Sequence, residues 1–206
     1  VAGALISLAL IWTASRTSLA AAVIAVLVGF AVLRGHRWLF ALVVPALVIV
    51  GIVLPFQTQS AEDFTGRGRI WFGSLEAWRD SPIIGQGPDF YARIGQFANE
   101  LGSTAYHGHN TWVNALATGG LLGAFAILLL VTVMLVRVMK RKDAALAAWV
   151  VAFVAVAILE VTLEVRNPAN RAWVTWFPIV AILFGRDGEP CDPTPSALSV
   201  RSLARS

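Results

Sequence analysis

Long apolar runs separated by short polar connectors make up most of this chain, and the pattern is broken once, by a long polar and aromatic stretch in the middle. A helix needs roughly 20 apolar residues to cross the hydrocarbon core of a bilayer. On that measure residues 1–13 read as the end of one span, 19–33 as a short second and 38–56 as a full third. Residues 119–139 form a fourth and 144–165 a fifth. Residues 173–184 are short and interrupted by Pro178, which makes them either a kinked sixth span or a re-entrant segment.

The middle stretch, residues 57–118, is far longer than a connection between bundle helices, and such connections are usually functional or disordered. Disorder does not fit its aromatic content: Phe64, Trp71, Phe72, Trp78, Phe90, Tyr91, Phe97 and Trp112. Ile70, Trp71, Ser74, Leu75 and Trp78 recur at three- and four-residue spacing, which predicts an amphipathic helix on the membrane or against the bundle. Pro82 ends it, and Gly85, Gly87 and Pro88 predict a tight turn. A second short helix is expected from Asp89 to Leu101, after which His109-Asn110 opens the helix that continues into the fourth span.

Composition sets the class. With 57% hydrophobic and 14% charged residues and a mean hydropathy of +0.72, the chain is far from a soluble domain, where roughly a quarter of residues are charged. The fold class expected is all-α: a polytopic transmembrane helical bundle with a large, partly helical extracytoplasmic loop. The chain opens at Val1 inside an apolar run, and is read as the C-terminal part of a longer protein. A single cysteine, Cys191, excludes an intrachain disulfide and a thiol metal cluster. The net charge of +4 is spread over connectors rather than gathered on one face, so nucleic acid is not a partner. The bilayer is.

Charge also orients the chain. Arg34 and Arg37 share one connector, and Arg137, Lys140, Arg141 and Lys142 another; the positive-inside rule makes both cytoplasmic. The expected organisation is transmembrane helices in 1–56, an extracytoplasmic catalytic loop in 57–118, further transmembrane helices in 119–185 and a disordered cytoplasmic tail in 186–206. Arg16, Arg166 and Arg171 then lie outside with the loop.

The candidate chemistry comes from arginines that break the charge rule, together with a histidine. Arg16 sits at the end of the first span, either as a snorkelling interfacial group or as an anion ligand. Arg67 and Arg69 are two apart, so a helix points one to the site and the other to solvent. Guanidinium groups suit a diphosphate because they are always charged and bind bidentately. His109 has the chemistry of a base for a hydroxyl, or of a cap for the helix that follows; His107 shares that chemistry. Glu160 and Glu164, four apart on the fifth span, share a face that suits a cation or a proton relay, but Arg166 and Arg171 nearby are simpler partners, and structural ion pairs are the reading preferred. No Asp-x-Asp dyad, His/Cys cluster or Walker-type loop occurs, so neither a metal nor a nucleotide is implied.

In chain order, Gly66-Arg67-Gly68-Arg69-Ile70-Trp71, the run Ser81-Pro82-Ile83-Ile84-Gly85-Gln86-Gly87-Pro88-Asp89-Phe90, and His109-Asn110-Thr111-Trp112 with Leu116 and Gly120 resemble the signatures of the O-antigen ligase and polymerase superfamily. The resemblance implies metal-independent transfer from an undecaprenyl-diphosphate-linked glycan donor to a glycan, lipid or protein acceptor, with no cofactor. It implies Arg67 as the diphosphate-engaging arginine, Arg16 as the inter-span arginine and His109 as the base. Arg67 and His109 are thus the expected catalytic residues, and Arg16, Arg69, Asn110 and Trp71 the expected substrate-binding ones. Thr118 stands where many members carry an acidic residue, and the interval from arginine to histidine is shorter than in typical ligases. A transporter or flippase for a lipid-linked anionic glycan is the alternative. Spans nearly free of polar groups, with the candidates gathered on one face, favour the enzyme.

Overall fold

The computed structural model describes residues 16–96, 107–163 and 172–185, and among these every regular element is helical. The helices are α1 (Arg16–Leu33), α2 (Arg37–Gln57), α3 (Asp63–Asp80), α4 (Phe90–Gln96), α5 (Thr111–Arg141), α6 (Ala144–Val156) and α7 (Ala172–Phe184). The expected first span, the end of the second loop helix and the tail lie outside the described residues.

Among the described residues two helices are long and apolar enough to cross a membrane, α2 and α5. The 21 residues of α2 extend about 31 Å at 1.5 Å per residue, close to the thickness of a hydrocarbon core. The apolar stretches Thr17–Leu33, Ala144–Val156 and Thr175–Phe184 are shorter. The larger core cluster is a seam in which Phe40, Val44 and Val48 of α2, Met134 and Val138 of α5, and Val150, Val151 and Val154 of α6 bury together, with Ile179 and Ile182 of α7 against them; Ile70, Phe90, Tyr91 and Ala117 form a second. Around it, Val26, Leu27, Phe30, Leu42, Ile49, Leu122 and Phe125 remain exposed, an apolar exterior larger than water-soluble monomers present.

Small residues let the helices meet. A Cβ on Gly29 of α1 would lie 2.9 Å from the Ala148 Cβ of α6, and one on Gly51 of α2 would lie 2.8 Å from the indole of Trp112. The turn between α5 and α6 is closed by Lys142 in the left-handed conformation and by Asp143, whose Oδ1 accepts from the backbone N–H groups of Ala145 and Leu146.

Above this seam the loop packs as structure, with α3 against α5. The buried side of α3, Ile70, Trp71, Ser74 and Leu75, is the one its spacing predicts, and the helix ends at Asp80, two residues before Pro82. The glycine turn does more than reverse the chain. Gly120 interrupts α5 with φ 61° and ψ −155°, and the segment 82–87 fills the break. Leu121 and Leu122 N–H donate to the carbonyls of Pro82 and Ile83, while Gln86 and Gly87 N–H donate to those of Ala117 and Thr118, at 2.8–3.1 Å. The backbone groups that the break would orphan are thereby satisfied. A Cβ on Gly120 would stand 2.4 Å from the Ile83 carbonyl, and one on Gly85 2.5 Å from the Gly120 nitrogen, so both positions require glycine.

The sequence reading of the fifth span needs correction. Residues 144–165 are uniformly apolar to Leu159, but α6 stops at Val156, and 157–160 form a turn. The cause is competition for its carbonyls. Thr111 N–H donates to Ala157 O at 2.9 Å, Asn110 Nδ2 to Ile158 O at 2.8 Å, and Thr111 Oγ1 to Glu160 O at 3.0 Å. The C-terminus of α6 is thus tied to the N-terminus of α5, an arrangement that also sets opposite helix-dipole ends together.

Candidate active site

Arg67 is the first regular residue of α3. Phe64, Thr65 and Gly66 before it all have left-handed backbone, with φ of 53°, 65° and 83°. For Phe64 and Thr65 this conformation is strained, and strain of this kind is concentrated where function needs it. It turns the chain so that α3 starts with Arg67 aimed inward and Arg69 outward. The Arg67 Nη2 donates to Glu160 Oε1 at 2.7 Å, with the guanidinium about three-quarters buried. Arg69 pairs instead with Glu62 at 2.9 Å on an exposed surface.

His109 approaches the same carboxylate from the other side. Its Nδ1 lies 3.7 Å from Glu160 Oε2, within ion-pair reach though beyond a hydrogen bond, and that buried nitrogen has no hydrogen bond among the described residues. The backbone of His109 is left-handed, φ 46°. Three contacts hold it there. Its N–H donates to His107 Nδ1 at 3.2 Å; the preceding carbonyl, Gly108 O, accepts from Trp71 Nε1 at 2.9 Å; and Gly108 N–H donates to Asn114 Oδ1 at 3.2 Å. The His107 and His109 rings lie 4.3 Å apart.

Glu160 therefore joins the two groups singled out from the sequence. The imidazole of His109 is the chief cause holding its carboxyl below the usual carboxylate range; burial opposes this, and the charges of Arg67, His109 and His107 add to it. The residue was expected as a structural partner of Arg166 and Arg171. The partners seen are Arg67 and His109, while Glu164, Arg166 and Arg171 lie outside the described residues. An acidic residue at the end of an apolar span was the signal available for it.

Two residues expected to contact substrate are buried and hydrogen-bonded within the protein. Asn110 is fully buried as the N-cap of α5. Its Oδ1 accepts from Trp112 and Val113 N–H at 2.8 and 2.9 Å, and its Nδ2 donates to Gly51 and Ile158 carbonyls. All four of its hydrogen-bonding positions are used, so a substrate would find none free. Trp71 is likewise fully buried with its one donor spent on Gly108. Ser74 and Tyr91 share a buried hydrogen bond at 2.9 Å beside them, and burial pushes the Tyr91 phenol well above its ordinary range. Arg16 begins α1, and its side chain lies outside the described residues.

His107, His109 and Glu160 each bring one potential metal-binding atom within 4.8 Å of the others. A cation there would lie close to the Arg67 guanidinium, which pairs with the same carboxylate at 2.7 Å and repels positive charge. The arrangement sets a guanidinium and an imidazole against the two oxygens of one carboxylate.

A sequence model of the O-antigen ligase family matches residues 1–128, more than half of the chain. The match takes in Arg67 and His109 and stops before Glu160. No curated protein and no solved structure matches the chain.

Proposed function

The chain belongs to the O-antigen ligase family of membrane proteins, and from that premise we propose that it transfers a glycan from a polyprenyl-diphosphate donor to an acceptor hydroxyl. The reaction serves cell-surface polysaccharide assembly on the outer face of a bacterial cytoplasmic membrane. The observation that carries this reading is the convergence of Arg67 and His109 on the two oxygens of Glu160.

In the step proposed, the acceptor oxygen attacks the anomeric carbon while its proton passes to Nε2 of His109. Nδ1 faces Glu160, whose ionised carboxylate orients the ring and stabilises the imidazolium as it forms. The bond from the anomeric carbon to the diphosphate oxygen breaks, its electron pair leaves with the lipid diphosphate, and a glycosidic bond replaces it. Arg67 uses one N–H on Glu160 and keeps others for the departing anion. Arg16 is the second candidate ligand for the diphosphate. Glu160 is a positioning residue, since it acts through His109 and Arg67.

The bilayer sets the geometry of delivery. The donor's lipid lies among the exposed apolar faces of the helices, and its diphosphate is presented at the level where α2 gives way to the loop. Loop 57–118 faces outward in this reading, as the basic connectors at Arg34/Arg37 and Arg137–Lys142 require. The decisive experiment incubates purified full-length protein with undecaprenyl-diphosphate-linked oligosaccharide and separate glycan, lipid and protein acceptors. Glycosylated acceptor together with free undecaprenyl diphosphate is expected. Donor moved across vesicle membranes with no transfer would replace the enzyme by a flippase.

A further inference from the structure

The left-handed turn that starts α3 also shapes a cavity of about 510 Å³, which the transfer step does not use. Leu54, Gln57, Thr58, Gln59, Asp63 and Phe64 line it, where α2 ends and α3 begins. Its size falls within the roughly 300–1,000 Å³ of small-molecule sites.

The lining selects a class of ligand. Among the described residues it carries two carboxamides, a hydroxyl, a carboxylate and one aromatic ring, with no basic side chain. Asp63 disfavours an anion, so the diphosphate belongs with Arg67 and not here. Amides and a carboxylate suit the hydroxyls of a neutral ring, and an aromatic face suits its C–H side. The carboxylate is fixed for this: Asp63 Oδ2 accepts from the N–H groups of Gln59 and Ser60 at 3.2 and 3.0 Å.

The cavity is coupled to the reacting groups by two short paths. Phe64 precedes Arg67 by three residues across the strained turn. The Phe64 ring also packs 5.2 Å from that of Trp71, whose Nε1 holds Gly108, the neighbour of His109. An occupant of the cavity would thus be linked to the reacting groups through Phe64, which lines it.

We propose that this cavity holds a sugar ring of a glycan substrate, with Phe64 against its C–H face and Gln57, Gln59 and Asp63 on its hydroxyls. The assignment deepens the transfer reading and rests on it. The ring belongs either to the donor glycan or to a glycan acceptor, two sources of the same chemistry.

Equilibrium binding to the full-length protein in lipid nanodiscs separates these, using bare undecaprenyl diphosphate, the same lipid carrying an oligosaccharide, and a soluble acceptor oligosaccharide. Phe64→Ala and Gln59→Ala should each weaken a glycan-bearing probe by roughly fivefold or more, the scale of a lost aromatic contact or neutral hydrogen bond. Bare lipid diphosphate should bind as before, and Phe64→Tyr should retain affinity. A change confined to the oligosaccharide-bearing lipid assigns the ring to the donor; one confined to the soluble glycan assigns it to the acceptor. Gln59 lies on an exposed loop, so its variant answers even if Phe64→Ala fails to fold. Unchanged affinity for both glycan probes, or equal weakening for the bare lipid, would overturn the assignment. Wild-type protein that neither binds lipid diphosphate nor transfers would defeat the parent reading, and this one with it.

Discussion

Arg67 and Glu160, 93 residues apart in the chain, meet at 2.7 Å, and Glu160 in turn faces the imidazole of His109. One carboxylate thereby joins the start of α3, the entry to α5 and the turn after α6. Its neighbours, His109 first, hold its carboxyl below the ordinary range, which favours the ionised form.

Substitution should separate the two arginines. Arg67→Ala is expected to lower transfer by about two to three orders of magnitude, the usual cost of removing a charge-stabilising donor. Arg67→Lys should be partly active, since an ammonium lacks the bidentate fork. Arg69→Ala should keep most activity because its partner is the exposed Glu62. Product formation at matched protein level decides, and a dead Arg69→Ala would refute the assignment.

His109→Ala should abolish transfer yet still bind bare undecaprenyl diphosphate, since Arg67 remains. The expected loss is about two to four orders of magnitude. His107→Ala should be milder, its Nδ1 serving to accept the His109 N–H. Full transfer by a folded His109→Ala protein would remove the histidine from the mechanism.

Glu160→Gln keeps the shape and removes the charge. Transfer should fall by roughly tenfold or more, less than for loss of the base itself. Full transfer by a folded Glu160→Gln protein would remove the carboxylate's charge from the mechanism.

The same residue links stability to acidity. Its folded pKa is depressed, so its contribution is present above the ordinary carboxylate value of 4.5 and is lost as pH falls through the lower folded value. With the Glu160 side chain 42% exposed, that contribution is about 1 kcal/mol or less. Thermal unfolding of wild type and Glu160→Gln should therefore differ slightly at pH 7 and converge as pH falls through the depressed folded value. A gap that widens on acidification would contradict the pairing.

Gly120→Ala should destabilise by about 3 kcal/mol or more, since the backbone there suits only glycine and the new Cβ meets the Ile83 carbonyl. Gly119→Ala, with nothing within 4 Å, is the control. Thermal unfolding in detergent compares them, and equal midpoints would show that the clasp of 82–87 on α5 is dispensable.

Topology is open to labelling. A cysteine at Ser60 should react with an impermeant thiol reagent from outside the cell, and one at Lys140 should not. The reverse pattern would invert the proposed orientation.

Hydropathy and spacing were enough for much of this molecule. The expected span at 38–56 is α2, the three- and four-residue spacing of Ile70 to Trp78 is α3, and His109-Asn110 does open α5. These follow from local physics: apolar length, helical period, a capping side chain and residues that tolerate left-handed backbone. Motif register singles out Arg67 over Arg69; the structure adds that Arg67 pairs inward with Glu160 and Arg69 with exposed Glu62. The end of α6, the buried duties of Asn110 and Trp71, and the partner of Glu160 were not legible. Each depends on which distant donor captures a given carbonyl or carboxylate. Nothing local to residues 157–160 records that Asn110 and Thr111 will take their carbonyls, because that competition exists only once α5 and α6 have packed.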